Sequence, residues 1–143
     1  MKLDEFINKY INTKVDFDGA YGAQCVDLFR QYCKDVLNIP HTGGVLGAKD
    51  IYLRFKSMPL EMKYFNQYAF ISNGYGIKYG DVIVWNYTET NRYGHIAIVI
   101  SKIDENKVLV FEQNGFDQQG AKIKVRLLTN CLGILRAKNG DVL

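Results

Sequence analysis

With 143 residues, 48% hydrophobic and 13% aromatic, the chain is long enough to bury one core and is expected to form one domain, residues 1–143. Its 18 basic and 15 acidic residues leave a net charge of +3 without a long basic run, so nothing indicates a nucleic-acid surface. No stretch approaches the roughly 18 apolar residues of a membrane helix, so no membrane insertion is expected.

In chain order, "MKLDEFINKYINTK" is broken by Asp4 and Glu5, so it lacks the apolar run of a signal peptide. Leu3, Phe6, Ile7 and Tyr10 recur at helical spacing, as do Val26, Phe29, Cys33, Val36 and Leu37, and then Ala48, Ile51, Tyr52 and Phe55. This spacing predicts three short helices, separated by Pro40, Gly43 and Gly44 and stopped by Pro59. The texture then changes. "YFNQYAFI", "DVIVWNY", "GHIAIVIS", "KVLVFEQN", "KIKVRLL" and "GILRA" are short, β-branched and aromatic, and Gly, Asn and Asp turns separate them. Helices followed by a run of strands predict an α+β fold with N-terminal helices packed on an antiparallel sheet. The closing "KNGDVL" reads as a tail or the start of a linker.

Three cysteines, Cys25, Cys33 and Cys131, form neither a disulfide framework nor a Cys-x-x-Cys pair, so reduced thiols are expected. Cys33 falls on the apolar stripe of the second helix and Cys131 lies between the last two strands, where each reads as a small buried hydrophobe. Cys25 is different. It opens the second helix, where unpaired N–H groups and the positive end of the helix dipole favour a thiolate, the form that attacks a carbonyl.

A thiol nucleophile needs a base, and the chain has two histidines. His41 sits in the Pro/Gly loop "IPHTGGV" and reads as a solvated residue, whereas His95 opens the strand "HIAIVIS". A hairpin through "IDEN" that pairs Lys102 with Lys107 places Ser101 opposite Val108, Val99 opposite Val110, Ala97 opposite Glu112 and His95 opposite Asn114. His95, Glu112 and Asn114 then share one face, with Ile96, Ile98, Ile100, Leu109 and Phe111 on the other. An imidazole so placed has a carboxylate and an amide to orient it, as a cysteine triad requires.

The ordered motifs "GAQCVDL", "YGDVIVW", "YGHIAIVI" and "VFEQN" resemble the CHAP domain, the cysteine- and histidine-dependent amidohydrolase/peptidase of bacteriophage endolysins and bacterial cell-wall hydrolases. The resemblance covers essentially the whole chain. It implies a papain-like fold of the NlpC/P60-like superfamily, with cleavage of an amide bond in Gram-positive peptidoglycan by a monomer. It also implies synthesis in a host cytoplasm and action at the wall, after holin release or as part of a virion. The nucleophile of the family falls on Cys25, its base on His95, its orienting acid on Glu112 and its supporting amide on Asn114. Gln24 is a candidate for holding the oxyanion, and Trp85, Tyr93, Tyr21 and Tyr87 for lining a groove. Two other readings stay open, an NlpC/P60-type endopeptidase and a noncatalytic wall-binding module. "QCVD" with Glu112 speaks against the first, and the complete triad against the second.

Asp16, Asp18 and Asp27 occupy the first, third and twelfth positions of a loop, the spacing with which an EF-hand holds calcium. Ala20 and Tyr21 at the fifth and sixth positions depart from that motif. The family resemblance maps a calcium site onto the same three acids, with the backbone carbonyls of Ala20 and Gly22 as further ligands. The alternative is that Asp16 and Asp18 cap a turn while Asp27 complements the dipole of the second helix.

Overall fold

The computed structural model describes residues 1–40, 43–69, 76–139 and 142. Helix α1 spans Leu3–Tyr10, α2 Cys25–Asp35, α3 Ala48–Leu53 and α4 Pro59–Tyr64, with a single 3-10 turn at Phe55–Ser57. The strands follow: β1 Phe65–Ala69, β2 Val82–Trp85, β3 His95–Lys102, β4 Lys107–Glu112, β5 Lys122–Leu127 and β6 Cys131–Ala137. They form one antiparallel sheet in the order β1-β6-β2-β3-β4-β5. The α+β expectation holds. One helix was missed, because Pro59 does not stop the helical region but occupies the first position of α4, where its missing N–H has no intrahelical acceptor to lose.

Both faces of the central strands are buried, which is why "VIVW" and "IAIV" are nearly continuous in apolar residues. Val82, Val84, Ile96, Ile98, Phe111 and Leu135 face the helices and join Leu3, Phe6, Leu28, Phe29, Tyr32 and Ile51 in the larger core. Aromatic edges knit this layer: the Phe6 ring lies 5.7 Å from Tyr32 and 6.0 Å from Phe111, both edge-on. The other face carries a second cluster, which includes Ile83, Trp85, Ala97, Val99, Val108, Val110 and Ile134.

The β3–β4 register keeps the expected pairing in the middle of the hairpin. Val99 lies opposite Val110 and Ile98 opposite Phe111. Nearer the turn, Ser101 pairs with Leu109 and Lys102 with Val108, one residue off the expected register, and an irregularity between Val99 and Ser101 absorbs the difference. Val142, in the segment read as a tail, is buried and its carbonyl accepts from Leu3 N–H at 3.0 Å, so it docks on α1. After α1 the chain runs beside the start of β5: Asn12 N–H donates to Ala121 O at 2.8 Å and Ala121 N–H to Thr13 O at 2.9 Å. That path delivers residues 14–24 to the end of β4. Among the described residues, no helix is long and apolar enough to cross a membrane.

Candidate active site

Cys25 is the first residue of α2 and is partly exposed. Gln24 is the N-cap, with an extended backbone at φ −108° and ψ 165°. Its N–H donates to the Asp27 carboxylate at 2.9 Å, so the first turn of the helix closes on itself.

Two glutamine side chains hold the segment that leads into this turn. Gln113 is buried; its amide accepts from Val15 N–H at 2.8 Å and donates to Val15 O at 2.7 Å and to Gln24 O at 2.8 Å. Gln118 accepts from Ala23 N–H at 3.1 Å and donates to Ala23 O at 3.2 Å and Gly115 O at 2.7 Å. Each amide pairs with a backbone residue as a neighbouring strand would. Gly22 is required beside this clamp: its φ is +74°, and an added Cβ would sit 2.8 Å from Gln118 Oε1.

His95 opens β3 across from Trp85, whose ring lies 5.7 Å away. The preceding Gly94, at φ +74°, passes so close to the Trp85 carbonyl that an added Cβ would lie 2.4 Å from it. The close backbone approach fixes the start of β3, and the indole flanks the imidazole on one side. His95 Nε2 is 3.1 Å from Glu112 Oε1, so Nδ1 is the ring nitrogen left to serve the Cys25 thiol. Burial pushes the imidazole pKa down, but interactions with the side chains of Cys25 and Glu112 outweigh it and raise the pKa to about 9.

Glu112 is almost wholly buried at 1% exposure, yet it is charged. Burial pushes its pKa up, and hydrogen bonds from Arg126 and His95 overcome this and hold it down at about 2. Arg126, on β5, grips both oxygens, with Nε 2.6 Å from Oε1 and Nη2 bonded to Oε2.

Of the other sequence-predicted residues, Asn114 lies just beyond β4, and its Oδ1 accepts from Phe116 N–H at 2.9 Å, which shapes the following loop. Among the described hydrogen bonds, the one that orients His95 runs from its Nε2 to the accepting carboxylate of Glu112. Trp85 is 7% exposed and braces His95 from the sheet side; its Nε1–H donates to Leu127 O at 2.9 Å. It is a wall behind the imidazole, because a buried strand end rather than a loop carries it. Tyr93, Tyr21 and Tyr87 are exposed, as is Gln24. Cys33 is buried and Cys131 partly so, and burial pushes the Cys131 thiol up to about 12. His41 lies outside the described residues.

Carboxylate oxygens of Asp16, Asp18 and Asp27 all lie within 4.8 Å of one another. Ligands held at about 2.4 Å from a common ion are separated by no more than about that distance, so the donor set fits a hard cation. Ala20 N–H donates to Asp18 at 2.9 Å and holds its pKa below the usual carboxylate range. Asp27 moves the other way: burial, and the charges of Asp18 and Asp16, raise it to about 6.

Arg126, Gln113 and Gln118 escaped the sequence reading. "KIKVRLL" shows Arg126 only as one polar residue of an alternating strand, and its partnership with Glu112 depends on how β5 lies against β4. The sequence model of the CHAP domain matches residues 14–114, and the chain belongs to that family. Among individual proteins it is 38% identical over 121 residues to the endolysin PlyTW of Staphylococcus phage Twort, a match that covers 79% of this chain and 23% of the relative. The fold is similar to the crystal structure of the wild-type endolysin LysIME-EF1, with TM-score 0.66 and 22% identity over 95% of this chain and 64% of that one. It is likewise similar to Ly7917, with TM-score 0.64 and 15% identity over 94% of this chain and 62% of that one. The chain thus spans about a quarter of the curated relative and under two thirds of either solved chain.

Proposed function

We propose that this chain is a peptidoglycan hydrolase that cuts an amide bond of the Gram-positive cell wall through a cysteine nucleophile, as a phage lysin does. The observation that carries the reading is the line Cys25, His95, Glu112, in which a thiol at a helix N-terminus meets an imidazole already oriented by a buried carboxylate. Membership of the CHAP domain family and likeness to a phage endolysin support the substrate class. We read the arrangement, a thiol-bearing helix against an antiparallel sheet that supplies the imidazole, as papain-like.

In the first step Cys25 Sγ, its proton passed to His95, bonds to the amide carbonyl carbon. First-turn N–H groups of α2 hold the oxyanion. The C–N bond then breaks as His95 returns that proton to the departing amine, leaving a thioester. In the second step water attacks the thioester carbon, its proton goes to His95, and the C–S bond breaks to release the acid and return Cys25 and His95 to their starting state. Glu112 keeps the Nε2–H of the ring directed away from the thiol throughout.

We further propose that Asp16, Asp18 and Asp27 hold a structural calcium ion, with the carbonyls of Ala20 and Gly22 as added ligands. Such an ion supplies charge neutralisation to the loop before Cys25 and no step of the chemistry.

Mass analysis of fragments released from purified Gram-positive peptidoglycan tests the main reading. New amine and carboxyl ends, the product pair heavier by one water than the parent, are expected. Intact walls after incubation with folded protein, or cleavage confined to glycan linkages, would overturn it.

A further inference from the structure

The Glu112 carboxylate is held by a group that the sequence motifs do not include. In the β4–β5 register Lys122 stands directly opposite Glu112, and Arg126 stands opposite Val108, farther along the strand. Yet it is Arg126 that reaches back along the sheet and occupies both carboxylate oxygens. A planar guanidinium can serve two oxygens at once, which a lysine ammonium cannot.

The strand that carries Arg126 is itself tied to the site. The Trp85 ring lies tilted beside His95 and donates its indole N–H to the carbonyl of Leu127, the residue after Arg126. Contacts therefore close a ring: His95 to Glu112, Glu112 to Arg126, Arg126 through Leu127 to Trp85, and Trp85 back to His95. An ion pair that served only to brace the hairpin would not need its strand anchored to the wall of the imidazole.

We propose that Arg126 is a positioning residue of the catalytic centre, one that clamps Glu112 and shares its charge so that His95 stays oriented yet remains free to release its proton. The proposal rests on the amide-hydrolase reading given above. Consider the ring without this partner. The full charge of a buried carboxylate would fall on the imidazolium alone and hold its proton more tightly, and the turnover steps that need a neutral ring would suffer. The charged and titratable groups facing the pair are Cys25 from α2, His95 from β3, Arg126 and Lys122 from β5, and Asp117 from the loop between β4 and β5, which acts on Arg126. Of these, Arg126 is the cation bonded to Glu112 besides His95 itself.

The test is the histidine NMR titration of nitrogen-15-labelled protein, in parallel with turnover on soluble wall fragments. Two histidines make the spectrum simple, and His41→Gln assigns the signals. In Arg126→Gln the His95 midpoint should move to higher pH while that of His41 stays. Turnover near neutrality should drop about 100-fold, the scale of general acid–base assistance, and recover partly as pH rises. Arg126→Lys, which keeps the charge and loses the fork, should show a midpoint near wild type and intermediate turnover. A lowered melting temperature with the His95 midpoint and the pH profile unmoved would mean that Arg126 merely braces the hairpin, and would overturn the proposal. So would a midpoint that moves down. If Arg126→Gln does not fold, Arg126→Lys decides alone: wild-type turnover overturns the clamp, and reduced turnover with an unmoved His95 midpoint supports it. Wild-type protein inactive on every wall fragment would instead count against the hydrolase reading, whatever the variants show.

Discussion

Cys25 and Cys33 lie on the same helix and have opposite chemistry. Cys33 is buried against Leu28, Phe29 and the sheet, and burial pushes its pKa far up, so it stays a neutral thiol. Cys25 is partly exposed at the helix start, with the His95 ring as its partner. Cys25→Ala is therefore expected to abolish wall hydrolysis while the protein stays folded, and Cys33→Ala to keep activity at a cost of roughly 1 kcal/mol in stability. Among the partners, His95→Ala should lose at least about 1,000-fold in turnover because the ring moves protons in both steps. Glu112→Gln should lose less, since an amide oxygen still accepts from Nε2–H. Turbidity clearing of susceptible walls, with melting curves as the folding control, measures all four variants, and a more damaging loss at Glu112 than at His95 would reverse the assigned roles.

The functional element is the loop of residues 16–24 with the first turn of α2. Asp27 belongs to both: it caps Gln24 N–H and faces Asp16 and Asp18. An acid raised to about 6 by burial and by the charges of Asp18 and Asp16 disfavours the folded state progressively as pH rises from 3.8 through 6, because the charge must then be carried without a counterion. The proposed calcium ion, bound between the acids, would remove that penalty. Calcium is accordingly expected to raise both melting temperature and activity at neutral pH, with magnesium weaker because it demands a smaller and more regular oxygen cage. The response should fade as pH falls through about 6, where Asp27 takes up a proton instead of a metal. Calorimetric titration of stripped protein at two pH values checks this, and Asp16→Ala with Asp18→Ala should leave no binding heat. The acids were legible in sequence from their spacing. The clamp by Gln113 and Gln118 was not, since its contacts join residues 98 and 95 positions apart.

At the scale of the molecule, Glu112 bonds both His95 and Arg126 and so joins β3, β4 and β5, and the titration of His95 and Glu112 reaches global stability. His95 has a folded pKa near 9 against 6.5 otherwise, so its contribution is complete below about 6.5 and disappears as pH rises through 9. Glu112, held near 2 against 4.5, contributes fully above about 4.5 and loses its effect as pH falls through 2. Melting temperature should thus decline between pH 6.5 and 9, and His95→Gln should flatten that decline. An equal decline in the variant would place its origin in other groups.

Periodicity determined the α+β order and the buried faces of α2 and β3, and the places of Cys25 at a helix start and His95 at a strand start singled them out as the proposed nucleophile and base, because those features depend on residues close in the chain and on the fixed repeats of helix and strand. Glu112 was reachable too, since a single hairpin connects it to His95 and the pairing Val99 with Val110 survived an irregular turn. Pro59 as a helix start, the burial of Val142 and the withdrawal of Trp85 into the wall needed the packed molecule. So did Arg126. A residue's neighbours across a sheet are chosen by registers summed over several strands, and a side chain that reaches along the sheet past the nearest partner, Lys122, obeys the geometry of charge and fork rather than any spacing in the sequence.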